Sequence, residues 1–419
     1  MAHDQPVKAL VITLVDDPAS AVYSINRLKP DALCFVLPEA GKAVVESGVQ
    51  PQIDQMPRRW DWIIVAAPGE FAGCHQTLAR SLPDLLRTWE VQPGELVVDL
   101  TGATPAMAGA MTVAALPWSS RLVSLVPARE GSGEDIITLD GRPFVWQQSN
   151  PWNEVAAVSR REGSELFNRG DYSAAANLFR GIEARVSGGQ KPLYRAFADV
   201  ADGYDLWERL RYRQAWDKLK TATKALEMAS LWGGLPSLQI MLPALKVNTV
   251  FLEKLVLDPA EAKEFLAMDL LAHAGRRLHV TCDPETAMVV LARALEAFAQ
   301  RRLFQAHKIK SWDVQIEQLP QALQETCRTC YLEDIDGKFK LPLQAQFRVL
   351  AGLGDQLGQS FLREWPMMKP LLDAANHAVL GHGFEPIKGE RVQQFYDVVV
   401  KLTGVVDSSL PIFPKLNFS

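Results

Sequence analysis

The segment from Asp99 to Met107 has the composition of a turn that could bind an anion. It follows the apolar run ELVVDL and precedes the helical run AMAGAMTVAAL, so it joins a predicted strand to a predicted helix. We predict that Thr104 is the N-cap and Pro105 the first helical residue, while Gly102 allows close approach of the backbone. The free amides and the positive dipole end of such a helix start attract phosphate groups.

A second turn of this kind follows the first apolar run, where we predict Asp17 as the N-cap of a helix that begins at Pro18. Every parallel sheet has such turns, so the pattern alone identifies no ligand. The dinucleotide fingerprint GxGxxG is absent from both turns. The nearest glycine pair, Gly352 and Gly354, lies in a helical run with no strand before it, which disfavours ordinary dinucleotide binding.

Two histidines near the C-terminal end could transfer protons. His377 and His382 are five residues apart, so they cannot act as metal ligands from one face of a helix. By residue type alone, His382 before Gly383 indicates a histidine at a helix C-terminus.

Two other groups of polar residues have structural explanations. Cys327 and Cys330 form a single CxxC, which without a second ligand pair indicates two ordinary thiols and no metal site. Arg293 lies three residues before Glu296 and seven before Gln300, on one face of a predicted helix. This spacing is typical of an ion pair on a partly solvated surface.

Short apolar runs alternate with helical patterns in residues 1 to about 150. They are KALVITLV (8–15), DALCFVL (31–37), DWIIVAA (61–67), ELVVDL (95–100) and RLVSLV (121–126). Runs this apolar indicate strands buried on both faces, so the pattern predicts a doubly wound parallel sheet. Asp140-Gly141 between two extended runs predicts a tight hairpin.

After Pro151 the strand pattern gives way to helical periodicity. FNRGDYSAAANLF (167–179) and WERLRYRQAWDKL (207–219) resemble each other at a spacing of about 40 residues. Helical hairpins of this kind usually serve packing, so we predict a structural spacer.

The composition limits the class of protein. The chain has 419 residues, enough for roughly two to four domains. Apolar residues make up 48% and charged residues 22%, which excludes a disordered chain, and a net charge of −5 excludes a uniformly basic nucleic-acid coat. The sequence shows neither a membrane span nor a secretory signal, so we expect a cytoplasmic protein.

Several separated segments resemble the CRISPR-associated CARF–HEPN proteins of type III systems, in particular those with a helical insert between the two domains. DLTGATPAM resembles the CARF loop D-x-T-G-G-T-K-x-M, and KPDALCFVLPE resembles the opening of the second CARF strand. LLAHAGRR (270–277) and LARALEAFAQRRL (291–303) resemble paired helices of the C-terminal half. ANHAVLGHGF resembles R-N-x-x-x-L-A-H-G-F, a form of the HEPN motif.

This resemblance implies an α/β plus all-α fold. It places a Rossmann-like CARF domain with a mostly parallel sheet at 1–150, a TPR-like helical insert at 151–255 and an all-α HEPN domain at 256–419. It also implies that the CARF domain senses cyclic oligoadenylate, an allosteric activator and not a cofactor, for which we expect tetra-adenylate in preference to hexa-adenylate. A symmetric ring further implies a homodimer.

Carried over by position, the resemblance assigns eight residues to the ligand. They are Thr13, Asp16, Asp17, Thr101, Gly102, Ala103, Thr104 and Met107. Two departures reduce the positive charge beside the phosphates: Pro105 replaces a common Lys, and the two aspartates replace small residues.

In the HEPN half the resemblance implies metal-independent cleavage of single-stranded RNA, and not of DNA. The implied catalytic positions are Ala375, Asn376, His377 and His382, with Arg293 as an RNA contact. His382 suits proton transfer, whereas the arginine that normally clamps the phosphate is replaced by Ala375. Because the rest of the motif is intact, we expect an enzyme inactivated by an Arg-to-Ala substitution.

Two other functions stay open at this point. The chain could be a naturally nuclease-dead sensor that recruits a partner through its helical half. It could also be a ring nuclease that cleaves its activator in the CARF domain, with Thr13 or Thr101 orienting the ribose 2′-hydroxyl.

Overall fold

The computed structural model describes residues 7–129, 136–231, 237–258, 262–330 and 339–418, and leaves the side chains of 237, 262, 263, 330 and 407 outside the description. In these residues a strand-rich N-terminal part is followed by helices. The strands are β1 Ala9–Thr13, β2 Ala32–Leu37, β3 Arg59–Ile64, β4 Leu96–Asp99, β5 Ser119–Pro127, β6 Ile136–Leu139 and β7 Arg142–Ser149.

The strands form one sheet in the order β3-β2-β1-β4-β5-β7-β6. The first five are parallel, and β1 and β2 are buried on both faces, as their continuous apolar runs predict. Because β1 and β4 are parallel neighbours with Ile12 opposite Asp99, their carboxyl ends meet at one edge of the sheet.

The helices of this part cover the sheet. They are α1 Pro18–Leu28, α2 Gly41–Val44 with a π-helical and 3-10 continuation to Gln52, α3 Phe71–Thr88 and α4 Pro105–Ala115. The apolar residues of α3 and α4 pack on one face of the parallel strands, and those of α1 pack on the other. The prediction of a doubly wound sheet is confirmed.

The β6–β7 hairpin closes the sheet in antiparallel pairing with β5. Asp140 and Gly141 form its turn with φ angles of 48° and 74°. These left-handed angles suit Asp and Gly, so the hairpin predicted at this dipeptide is confirmed.

Helices make up the rest of the described chain. They are α5 Trp152–Asn168, α6 Tyr172–Arg185, α7 Lys191–Glu208, α8 Tyr212–Leu231, α9 Ser237–Leu257, α10 Ala262–His279, α11 Pro284–His307, α12 Gln321–Cys330, α13 Leu343–Gly352, α14 Gln356–His377 and α15 Gly389–Thr403. The two similar segments form the same turn, since α6 and α8 begin at Tyr172 and Tyr212, each two positions after a residue with positive φ.

A buried cluster of charged and aromatic groups connects α7 to α10. Glu208 accepts a hydrogen bond from Arg276 Nε at 2.6 Å, and Asp269 accepts one from Trp207 Nε1 at 2.8 Å. The Arg276 guanidinium also lies 3.9 Å from the centre of the Phe413 ring. Buried charges of this kind need such partners to offset their lost hydration.

The C-terminal segment after α15 is held by amide side chains. Asn168 donates to the Leu416 carbonyl at 2.7 Å and accepts from the Leu416 N–H at 2.8 Å. Asn248 donates to the Ile412 carbonyl at 2.9 Å. These bonds satisfy backbone polar groups of the segment.

The chain divides into two compact units, one of residues 1–161 with 178–195 and the other of 162–177 with 196–419. The boundaries at 150/151 and 255/256 stay predictions. Among the described helices, none has both the length and the apolar character needed to cross a membrane.

Candidate functional site

Asp99, the last residue of β4, is the centre of a hydrogen-bond network at the carboxyl edge of the sheet. Its buried Oδ1 accepts hydrogen bonds from the Thr101 N–H at 2.8 Å and the Thr101 hydroxyl at 2.5 Å, and its Oδ2 accepts one from Ser24 on α1. Burial raises the pKa of the Asp99 carboxyl, although these hydrogen bonds favour its charged form. Asp99 therefore fixes the loop after β4 to α1.

The hydroxyl groups of Thr13 and Thr101 are both engaged in this network. Thr13 is fully buried and donates to the Asp99 carbonyl at 2.9 Å. The Thr101 hydroxyl donates to the Asp99 carboxylate and accepts from the Leu125 N–H at 2.9 Å. A hydroxyl has one hydrogen, so neither threonine can donate it to a ligand without releasing Asp99.

Gly102 lies where the loop after β4 touches the end of β1. A Cβ atom at this position would lie 2.6 Å from the Thr13 carbonyl oxygen and 3.3 Å from Leu14 Cα. The close approach predicted for Gly102 is therefore between two loops of the chain itself. It keeps two strand ends side by side at the edge where a ligand could bind.

The start of α4 has the predicted caps. Thr104 is the N-cap and accepts a hydrogen bond from the Met107 N–H at 3.2 Å, and Pro105 is the first helical residue. The Thr104 hydroxyl also bonds to the Pro68 carbonyl. Since Pro105 has no N–H, α4 presents fewer free amides to an anion than most helix starts do. Ala103, just before the cap, is half-buried.

The remaining predicted ligand residues differ in exposure. Met107 is fully buried in the core beneath α4, so its side chain does not reach the surface. Asp16 and Asp17 are exposed at the end of β1, and Asp17 caps α1 by accepting from the Ala19 N–H at 3.0 Å. The charge of Asp17 is thus partly satisfied by the helix start, as predicted.

The second candidate site is the loop after α14. The helix ends at His377, and Ala378 has the extended angles φ −67° and ψ 154°. The loop then folds back, so that the His382 N–H donates to the Asn376 carbonyl at 2.8 Å. The prediction that His382 ends a helix is therefore wrong, because the helix stops five residues earlier.

Two glycines make this return possible. A Cβ atom at Gly381 would overlap the Ala375 carbonyl oxygen, and one at Gly383 would overlap the backbone of His377. The loop thus brings the backbone of Ala375 and Asn376 against residues 381 and 382. The backbones of all four predicted catalytic positions meet here.

The side chains of this loop differ in their access to solvent. Ala375 is only 8% exposed and belongs to the core of the helical unit, whereas Asn376 and His382 are exposed. His377 instead lines a cavity of about 680 Å³, whose walls also include Lys388 and Arg391 and to which His382 does not contribute. His377 therefore lines this cavity, whereas His382 is exposed in the loop.

Arg293 lies on α11 in the predicted arrangement. It contacts Glu296 at 3.3 Å and the Gln300 side-chain oxygen at 3.1 Å. The ion pair predicted on one helix face is confirmed, while the RNA contact stays a prediction. In the described part of the chain no three His, Cys, Asp or Glu side chains form a group able to hold a metal.

Sequence reasoning missed the role of Ser24 and gave Asp99 no role beyond its place in the loop. The sequence did contain a signal for this role: Asp99 is the one charged residue of the buried strand β4 and stands at its end. A carboxylate in that position needs hydrogen-bond donors from neighbouring elements.

Comparison with known proteins identifies the family. The family model described as the Csm6 HEPN domain matches residues 260–405, and that of the Csm6 6H domain matches residues 155–238. The chain belongs to the Csm6 family of CARF–HEPN proteins. The 6H match covers α5 to α8, and the HEPN match contains α14 and the His382 loop.

Two relatives of the Csm6 family extend the comparison. The CRISPR system endoribonuclease Csm6 of Thermus thermophilus is 29% identical over 308 residues, which are 69% of this chain but 64% of that protein. The structure of Enterococcus italicus Csm6 bound to cyclic hexa-2′-fluoro-hexa-dAMP aligns with a TM-score of 0.61 and 12% identity over 95% of this chain and 93% of that one. The second similarity shows the fold alone.

Proposed function

We propose that this chain is an endoribonuclease of type III CRISPR defence and that cyclic oligoadenylate activates it. We further propose that alanine at position 375 lowers its rate of RNA cleavage. The observation that carries the proposal is the return of the loop after α14, which sets His382 against the backbone of residues 375 and 376. The Thermus thermophilus relative is described as a CRISPR endoribonuclease.

The cleavage we propose is metal-independent attack of a ribose 2′-hydroxyl on the adjacent phosphorus of single-stranded RNA. It needs an aligned nucleophile, donors for the crowded phosphate and a group that moves a proton. His382 is exposed and suits the proton transfer. Ala375 has no side-chain donor, so the phosphate lacks the bidentate contact that an arginine makes.

We propose that the enzyme acts as a homodimer. Val379 and Leu380 are more than half exposed, and Phe384 is 95% exposed. These apolar side chains surround His382 in the sequence, and exposed apolar clusters of this kind indicate contact with another protein. A second copy would cover them and complete the RNA site.

We propose that the activator binds at the carboxyl edge of the sheet. The loops held by Asp99 and Gly102 form a rigid floor there, and the α4 start supplies the helix dipole. The solved Csm6 of Enterococcus italicus holds a ring of six nucleotides. Our preference for cyclic tetra-adenylate stays a prediction.

A nuclease-dead sensor is the second candidate function. Ala375 favours it, because a chain with alanine here can sense the ring without cleaving RNA. A ring nuclease that uses Thr13 or Thr101 is disfavoured, since both hydroxyls are committed to Asp99.

Restoring the arginine separates nuclease from sensor. Ala375→Arg should increase activator-dependent cleavage of a fluorescent single-stranded RNA by about 10²–10³, because the guanidinium supplies the missing phosphate contact. Ala374→Arg places the same charge on an adjacent face of α14 and should give no increase. Adding His382→Ala to Ala375→Arg should remove the gain.

Failure of this test has a clear form. If Ala375→Arg has the circular dichroism and thermal unfolding of its parent, yet cleaves no RNA with cyclic tri-, tetra- or hexa-adenylate, the nuclease proposal is wrong. Retained binding of a ring would then identify the chain as a sensor.

A further inference from the structure

Helix α9 has apolar side chains on two opposite faces. One face packs into the helical unit through seven buried apolar residues, Leu238, Met241, Leu242, Leu245, Phe251, Leu252 and Leu255. The other face exposes four, Ile240 at 81%, Val247 at 67%, Val250 at 52% and Leu257 at 46%. A helix that is apolar on both faces is normally covered on both, so the exposed face requires a partner.

The spacing of the exposed residues indicates what covers them. From Ile240 the steps along the helix are seven, three and seven residues, which is the a/d spacing of a coiled-coil seam. The order of these spacings is the same whether the helix is followed from its N-terminus or from its C-terminus. An antiparallel second α9 therefore sets Ile240 against Leu257 and Val247 against Val250. The two other positions of the same frame, Pro243 and Lys254, face each other in this pairing.

The flanking charges fit the same arrangement. Lys246 and Glu253 are both exposed beside the seam. Antiparallel pairing brings Lys246 of each copy close to Glu253 of the other. Lys246 also contacts Glu227 of its own chain at 2.6 Å, which orients its ammonium group. Lys254, on the seam line, has its Nζ 5.2 Å from the centre of the Phe265 ring of its own chain.

We propose that α9 forms a two-fold antiparallel contact with α9 of a second copy of this chain. A surface that is complementary to itself produces a closed dimer, whereas an unrelated partner helix would not require a pattern that reads the same in both directions. The inference deepens the proposed function by locating one contact of its homodimer outside the matched 6H and HEPN regions. It does not depend on the activator or on RNA cleavage.

Charge placed at the centre of the seam tests the contact. The double variant Val247→Glu with Val250→Glu should raise the dimer dissociation constant at least about tenfold in sedimentation velocity, because four carboxylates would meet in the pair. Val158→Glu on α5 is the matched control, since Val158 is 68% exposed and lies on another helix. It should leave the dissociation constant unchanged.

Cysteine cross-linking tests the direction of the pair. Ile240 and Leu257 are about 25 Å apart along α9 at 1.5 Å per residue. In a background with the exposed Cys282 replaced by serine, Ile240→Cys mixed with Leu257→Cys should form a disulfide-linked dimer. Either variant alone should not.

Three results would overturn the inference: an unchanged dissociation constant in the double variant, self-linkage of Ile240→Cys, or a monomeric wild-type chain. If the double variant is still a dimer and still binds cyclic oligoadenylate, the α9 contact is wrong and the proposed function is unaffected. A monomer that binds no ring would contradict both.

Discussion

At the residue scale, the carboxyl group of Asp99 holds together the loops at the sheet edge where we propose that the activator binds. It collects donors from Thr101 and Ser24, while its own carbonyl holds Thr13. A ring that binds above this network meets loops already fixed by buried hydrogen bonds. Such preorganisation lowers the entropy cost of binding.

Gly102 allows a direct test of that edge. Gly102→Ala should lower the free energy of unfolding by about 1–3 kcal/mol, because the added Cβ meets the Thr13 carbonyl at 2.6 Å. It should also weaken ring binding, as the loops must separate. Urea denaturation and calorimetry measure the two effects.

Gly69→Ala is the matched control, since a Cβ at Gly69 has no atom within 4 Å. It should change stability by less than about 0.5 kcal/mol. Equal behaviour of the two variants would show that the contact at Gly102 is unimportant.

Local signals at single residues were readable from the sequence. Thr104 and Asp17 are the N-caps that their residue types predict, and Pro105 begins α4. The bond from the Thr101 hydroxyl to Asp99 spans only two residues and is a local contact. The bond from the Thr13 hydroxyl to the Asp99 carbonyl was not predictable, because the two residues are 86 positions apart and meet only when β1 and β4 become neighbours. Long-range contacts of this kind leave no local pattern.

At the element scale, helix ends were the weak point of the sequence reasoning. The pair Gly352 and Gly354 was read as part of a continuous helical run, but α13 ends at Gly352 and Gly354 has φ +77° before α14. His382 was likewise placed on a helix that ends at His377. In both places the backbone leaves the helical conformation, at Gly354 through a left-handed φ and at Ala378 through extended angles, and side-chain periodicity does not reveal this.

The C-terminal segment offers an element-scale prediction. Leu416→Ala should lower the free energy of unfolding by about 2–5 kcal/mol, because Leu416 is 2% exposed and its loss leaves a cavity. Ile412→Ala, in the same segment but 68% exposed, should change it by less than about 0.5 kcal/mol. Chemical denaturation of both variants measures the difference, and similar losses would mean that the segment is bound by its backbone alone.

At the scale of the whole molecule, a net charge of −5 means that any nucleotide affinity must come from local groups. The alternation of strands and helices predicted the parallel sheet and the helical half correctly. The exposed apolar face of α9 could not be predicted from the sequence, because an exposed apolar face differs from a buried one only once the helices are packed.

Calorimetry with cyclic tri-, tetra- and hexa-adenylate gives the corresponding test. We expect one ring per two chains, because a symmetric ligand fits a two-fold site. We expect cyclic tetra-adenylate to bind most tightly. A stoichiometry of one ring per chain would contradict the shared site, and absence of heat with all three rings would contradict sensing.

The pairing of Glu208 with Arg276 has a consequence for anyone who divides this protein into pieces. The two residues lie on opposite sides of the predicted boundary at 255/256, yet they form an ion pair at 2.6 Å with side chains only 9% and 11% exposed. A fragment that starts at residue 256 would keep the guanidinium and its 3.5 Å contact with Asp269, but it would lose the closer carboxylate of Glu208. Recombinant design should therefore carry α7 along with the nuclease helices.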